Sequence, residues 1–248
     1  GSFYQKIVFQ NEILNFDVDS CKFINNKMTN FESCPLTLVQ NKVITHTENI
    51  FNLNFINCYF EKNSCPDKGG AIQDSKNNTN FLFNNCQFIE NKADNKGGAI
   101  AILTHLKCTI ENCYFSKNKS LNGGNSIYIE NDHQNIESEV IINSCTFCDY
   151  KENDANSFIT AEMSSNIRIT ISSSKFLNLN TKKYIISFSE DILSADFDNC
   201  SISYNSSEIE GGGILIISNG KININSVFFN STRLKAALKI ESNELNEE

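Results

Sequence analysis

The chain contains no tryptophan, two prolines, two methionines, three histidines and, among 21 basic residues, two arginines, Arg168 and Arg233. So little arginine leaves almost nothing for bidentate recognition of phosphate or carboxylate. The net charge of −8, with no basic stripe anywhere, argues against nucleic acid and anionic membrane surfaces as partners. No stretch approaches the roughly 18 apolar residues that a membrane-spanning helix needs. What is abundant points one way: 38 Asn, 31 Ile, 19 Phe and 39 Ser plus Thr make a poor helix-forming mixture and a good strand-and-turn mixture. With 248 residues, 40% apolar and 20% charged, the chain is too apolar for disorder and large enough for one domain with a buried core. Gly1 and Ser2 read as an expression scar, and residues 3–248 as a single domain cut from a longer protein.

A phrase of the form Asn-Cys-x-Phe-x-x-Asn recurs along the chain. It runs Ser20-Cys21-Lys22-Phe23 with Asn26, Asn57-Cys58-Tyr59-Phe60 with Asn63, Asn85-Cys86-Gln87-Phe88 with Asn91, and Asn112-Cys113-Tyr114-Phe115 with Asn118. Fainter copies follow at Cys145/Phe147, Ser174/Phe176, Cys200/Ile202 and Val227/Phe229. The slots lie 37, 28, 27, 32, 29, 26 and 27 residues apart. A second phrase, Gly-Gly-Ala-Ile, keeps step at Gly69 to Ile72 and Gly97 to Ile100, and fades at Gly124 to Ile127, Gly211 to Ile214 and Ala236-Ala237-Leu238. A fixed period of this size marks a repeat architecture.

Within each repeat the apolar residues alternate, as at Ile100/Ile102, Ile127/Ile129 and Ile169/Ile171, which is the period of a strand. The parity slips after Phe55: strict alternation would make Asn57 the next inward residue, yet Cys58 and Phe60 are the apolar pair, so a bend is expected at Asn57. The same slot holds Ser20, Asn85, Asn112, Ser144, Ser173, Asn199 and Ser226, all residues that close turns with their own side chains. A second corner is expected at the Asn three residues after the Phe, with that Asn in left-handed backbone and stacked into a ladder. Gly-Gly supplies positive φ at a third. About eight coils of three short strands result, an all-β right-handed parallel β-helix, a rod of about 40 Å at the usual strand spacing.

The paired Gly-Gly-Ala-Ile and Phe-x-x-Asn phrases, clearest from Phe55 to Ile129, resemble the repeats of chlamydial polymorphic outer membrane proteins and of similar large surface proteins in protists. From Cys145 onward the likeness thins, with Tyr150 and Leu179 in the ladder slot. The resemblance implies an extracellular or cell-surface β-solenoid acting in adhesion, with no catalytic residues to carry over.

Cys21, Cys58, Cys86, Cys113, Cys145 and Cys200 share one slot that also accepts Ser174 and Val227, so they are read as a column of buried free thiols, with Cys108 in the core beside them. Cys34 and Cys65 each stand in a Ser-Cys-Pro turn of successive coils and are the candidate disulfide. Cys145-x-x-Cys148 lacks the second pair that a zinc site requires. Five glycosylation sequons occur, about as many as chance gives in so Asn-rich a chain, and Asn77 is the one candidate site. Two insertions, Gln40 to Asn49 and Glu130 to Glu139, project from strand ends and are candidate recognition loops, with His46, Glu130, Asp132, His133, Glu137 and Glu139 as their polar residues.

Many parallel β-helices cleave polysaccharides, and such sites gather acids on adjacent coils of one outer face. The outer slots Gln73, Ala101, Tyr128, Thr160, Ser187, Leu215 and Lys239, and Lys22, Tyr59, Gln87, Tyr114, Thr146, Lys175 and Ser201, stack no carboxylates. The leading expectation is therefore a non-enzymatic adhesive or recognition segment without cofactors. Its expected partners are a protein or glycan on a cell surface, further coils of its own chain, and other copies through the solenoid ends. A carbohydrate-active or carbohydrate-binding β-helix and an inert structural spacer stand as alternatives.

Overall fold

The computed structural model describes residues 14–28, 36–37, 50–75, 79–103, 106–131, 137–154, 156–162, 166–181, 184–189, 192–203, 206–207, 212–230 and 236–241. Among these residues there is no helix, and neighbouring strands pair in parallel throughout. The chain winds as a β-solenoid. A first sheet stacks eight strands, among them Leu14–Asp19, Phe51–Ile56, Thr79–Asn84, Lys107–Glu111 and Lys221–Asn225. A second sheet carries Lys22–Ile24, Tyr59–Glu61, Gln87–Ile89, Tyr114–Ser116 and the strands above them as far as Phe228–Asn230. A third stacks eight strands from Leu36–Thr37 through Ile72–Ser75, Ile100–Leu103, Ile127–Glu130 and Ile159–Glu162 to Ala236–Glu241.

Two features differ from the expected eight coils of three strands. About five turns can be followed nearly from end to end, and the flanking coils are represented by separate rungs. A short fourth sheet of Ser64–Cys65, Lys92–Ala93 and Lys119–Ser120 also fills the path between the second and third sheets in three successive coils. It forms where the ladder Asn aligns the backbone of one coil on the next, as when Lys92 N–H donates to Asn63 O at 2.8 Å.

The first corner lies where the parity slips. Ser20, Asn57, Asn85, Asn112, Ser144, Ser173, Asn199 and Ser226 all have φ between 50° and 55°, a conformation that bulky or β-branched side chains avoid. At the second corner the left-handed residue is not the ladder Asn. It is the residue before it, Asn25, Lys62, Glu90, Lys117, Asp149 or Asn178. That turn swings the next side chain inward, where the Asn is wanted. Asn63 donates its amide to Phe23 O at 2.8 Å and to Asn91 Oδ1 at 2.9 Å, and Asn91 repeats both bonds to Phe60 O and Asn118 Oδ1. At the third corner Gly97 has φ +69°, and a Cβ on Gly98 would lie 2.2 Å from Asn125 O.

The interior is a set of columns. Phe23, Phe60, Phe88, Phe115, Phe147 and Phe176 stack face to face, with centroids 4.8–4.9 Å apart. Beside them run Cys58, Cys86, Cys113, Cys145, Ser174 and Cys200, all buried, while Cys21 in the first rung is exposed. The slot is more than small and apolar. Cys58 donates its thiol to Ile56 O at 3.3 Å, Cys113 to Glu111 O at 3.1 Å, and Ser174 its hydroxyl to Ser172 O at 2.8 Å. A short side-chain donor is what serves the first corner, which explains why Ser replaces Cys without orphaning the carbonyl.

Candidate functional site

The outer face of the third sheet holds a side chain that strand alternation places toward solvent but that is fully buried, Tyr128. Its neighbours Ile127 and Ile129 fill the core, so its ring must be covered from outside. Lys68 and Lys96 do this. Each precedes a Gly-Gly corner, and their ammonium groups lie 5.4 and 4.6 Å from the Tyr128 ring centroid, within cation–π range. Glu130 and Glu162 are paired across adjacent coils at the end of the same face. The Tyr128 hydroxyl donates to Glu130 Oε2 at 2.7 Å and receives Lys96 Nζ at 3.0 Å. Lys68 pairs with Glu130 at 2.6 Å, and Lys96 with Glu162. Beneath them Thr160 Oγ1 accepts the Gly124 N–H at 2.9 Å.

This pair of glutamates corrects the expectation that no outer face stacks carboxylates, which considered only the middle position of each strand. The signal was available: Glu130 and Glu162 each stand three residues after the core Ile of their strands, and Lys68 and Lys96 each stand directly before Gly-Gly. Chemically the cluster is closed. Burial tends to raise the Glu130 carboxyl, but hydrogen bonds from Lys68 and Tyr128 outweigh it and hold it below the usual range. Burial, reinforced by the Glu130 hydrogen bond, pushes the Tyr128 phenol far up, so it stays protonated.

The candidate loop residues do not gather into one site. Glu130 belongs to the Tyr128 cluster, Glu137 pairs with Arg168, and Glu139 pairs with Lys107 at 2.8 Å on the first sheet. His46, Asp132, His133, Cys34 and Asn77 lie outside the described residues. Cys65 is disulfide-bonded. Asn118, another sequon, is fully buried in the ladder. Cys148 donates its thiol to Tyr114 Oη at 2.9 Å, and that hydroxyl lies 3.4 Å from Asp149 Oδ2. The Cys148 hydrogen bond and burial push the Tyr114 phenol up to about 12. Among the described residues no group of three or more His, Cys, Asp or Glu is placed to hold a metal ion.

Residues 57–74 and 85–102 each match the Chlamydia polymorphic membrane protein (Chlamydia_PMP) repeat. No curated protein and no solved structure matches the chain. Both matched segments begin at a left-handed Asn corner, cross the Phe and Asn columns, and end in the third-sheet strand that follows Gly-Gly. The chain is a parallel β-solenoid that carries repeats of the polymorphic membrane protein type.

Proposed function

We propose that this segment is a non-enzymatic, extracellular or cell-surface β-solenoid that serves adhesion or cell recognition, offering its outer faces and projecting loops to a protein or glycan on another surface. The match of residues 57–74 and 85–102 to a polymorphic membrane protein repeat carries this reading. Two features support it. The disulfide-bonded Cys65 suits an oxidising compartment, and the two carboxylates beside the Tyr128 ring are engaged by lysines, Glu130 by Lys68 and Glu162 by Lys96, which leaves little poised acid or base there for bond cleavage.

One observation favours the second reading, a carbohydrate-active β-helix: two glutamates, two lysines and a tyrosine meet on one outer face. Glycosidases work with such carboxylate pairs only when one is held protonated as the acid. The lowered Glu130 fits only the ionised member of such a pair, and Glu162, the other carboxylate, is tied to Lys96.

Beads coated with the purified chain and presented to cultured cells and matrix proteins test the proposal. Attachment should saturate and be competed by soluble chain. Replacing 132–136 with a Gly-Ser segment of equal length should weaken it while the far-UV spectrum stays unchanged. Ser138 must be kept in any such variant, since it is buried and receives the Asn131 amide at 3.1 Å. Attachment to nothing would favour a spacer, and release of unsaturated or reducing ends from acidic polysaccharides would favour an enzyme.

A further inference from the structure

The Tyr128 cluster is closed to an external substrate, yet it presses an amine and a carboxylate together in a drier setting than pairs elsewhere on the rod. The side chains of Lys68, Glu130, Lys96 and Glu162 are 18–28% exposed, whereas those of Lys92–Asp94 and Lys107–Glu139 are 40–51% exposed. The Tyr128 ring, its centroid 4.6 Å from Lys96 Nζ, excludes water from one side. Charges withdrawn from water carry a desolvation cost, which their attraction repays only where the geometry is very good. Condensing one ammonium with one carboxylate to a neutral amide removes both charges and that cost with them.

The hydrogen bonds also supply a path for the proton that such a condensation must move. Lys96 Nζ donates to Tyr128 Oη at 3.0 Å, and Tyr128 Oη donates to Glu130 Oε2 at 2.7 Å. The same hydroxyl lies 3.4 Å from Glu162 Oε2, the oxygen that pairs with Lys96. A nucleophile, the carboxylate it faces and a second carboxylate thus meet at one phenol. The strands are fixed in register, with Glu130 directly beside Glu162 and the strand after Lys96 one rung further along. Holding reactants in place in this way converts a slow encounter between two molecules into a step within one.

We propose that Lys96 and Glu162 condense into an intramolecular isopeptide bond, a covalent tie across the third sheet between residues 66 positions apart in the chain. Lys96 passes one proton through Tyr128 to Glu130, and the resulting amine adds to Glu162 Cδ. The bond from Cδ to Oε2 then breaks. The proton held by Glu130 returns through Tyr128 to the departing oxygen, and a second proton from the nitrogen joins it, so the oxygen leaves as water. The third N–H stays on the amide, and Glu130 ends as it began. Nothing is oxidised or reduced, and no co-reactant enters. Glu130 is held ionised by Lys68 and Tyr128 although burial opposes this, so proton transfer to it is uphill and the bond forms slowly, once per chain.

Mass spectrometry of the whole chain, unfolded and with its disulfide reduced, tests this. The expected mass is lower than that of the sequence by one water, a deficit that grows while the folded chain is incubated. Protease digestion should yield a branched peptide that joins the segments containing Lys96 and Glu162. Lys96→Met should keep the full mass and an unchanged far-UV spectrum. Glu130→Gln leaves both reacting residues in place but takes away the proton carrier, and should slow the deficit by about 100-fold or more. A wild-type chain that keeps its full mass after prolonged incubation in the folded state would overturn the proposal, whether or not the variants fold. A deficit that persists in Lys96→Met, or that maps to a succinimide at an aspartate and not to the branched peptide, would overturn it as well.

Discussion

Phe88 lies face to face with Phe60, ring centroids 4.8 Å apart and planes 3° from parallel, and meets Phe115 in the same way one coil further on. All three rings are fully buried. Phe88→Ala should cost about 3–5 kcal/mol, the range for emptying a buried aromatic site, read as a lower urea midpoint. Phe88→Leu should cost less than half of that, because the column already accepts Ile202 at the same slot. Equal losses would mean that the rings do not fill the column.

The Asn ladder should be less forgiving than its polarity suggests. Asn91 Oδ1 accepts both the Asn63 backbone N–H and its side-chain amide, at 3.1 and 2.9 Å. Asn91→Leu keeps the volume but leaves these two donors without that acceptor in a buried site, and takes from Phe60 O its second donor. Each orphaned group costs about 1–3 kcal/mol, so the variant should lose at least about 2 kcal/mol in urea unfolding. It should also show faster amide hydrogen exchange in Lys62 to Cys65. A neutral outcome would reduce the ladder to packing.

The thiol column sets an alkaline limit. Burial raises Cys58 from 9.0 to about 11, and a hydrogen bond from the neighbouring thiol together with burial pushes Cys86 and Cys113 up further. These thiols hold their protons in the fold and lose them near 9 when unfolded. Stability from this source is complete below pH 9 and falls as pH rises toward 11 and beyond. Unfolding temperatures measured from pH 8 to pH 11 should drop. Cys86→Ser and Cys113→Ser together should flatten the drop, since a hydroxyl does not ionise there. Native alkylation should label Cys21 first and the buried thiols only on unfolding.

Acid should act through the Tyr128 cluster. The Glu130 carboxyl, held below its usual 4.5 mainly by Lys68 and Tyr128 against the opposing effect of burial, contributes stability above that value. This contribution is lost as pH falls through the depressed value in the fold. Melting curves from pH 6 to pH 2 should show this loss in the wild-type chain and a shallower one in Lys68→Met. If both decline alike, the Lys68–Glu130 pair carries no net stability.

Repetition made the fold legible before any coordinates. The parity slip at Asn57 and its seven equivalents is a local event, encoded in which side chain tolerates φ near 54°, and each column repeats one residue type every 26 to 37 positions. The second corner was displaced by one residue because Lys62, Glu90 and Lys117 are poor advertisements for a left-handed turn. They adopt it only because the next Asn gains two buried hydrogen bonds.

The candidate site was legible only in pieces. Alternation alone places Tyr128 outside, and composition along a strand shows no acid pair at the centre of the face. Burial of that ring depends on Lys68 and Lys96, which reach diagonally across two coils to meet Glu130 and Glu162, partners 62 and 66 residues away. A period of one coil records what stands directly above what, and that much the sequence determined by itself. Which long side chain crosses between columns depends on the rise of the stack and the room left at the Gly-Gly corners. Only the tertiary structure decides these, because both arise from the packing of one coil on the next.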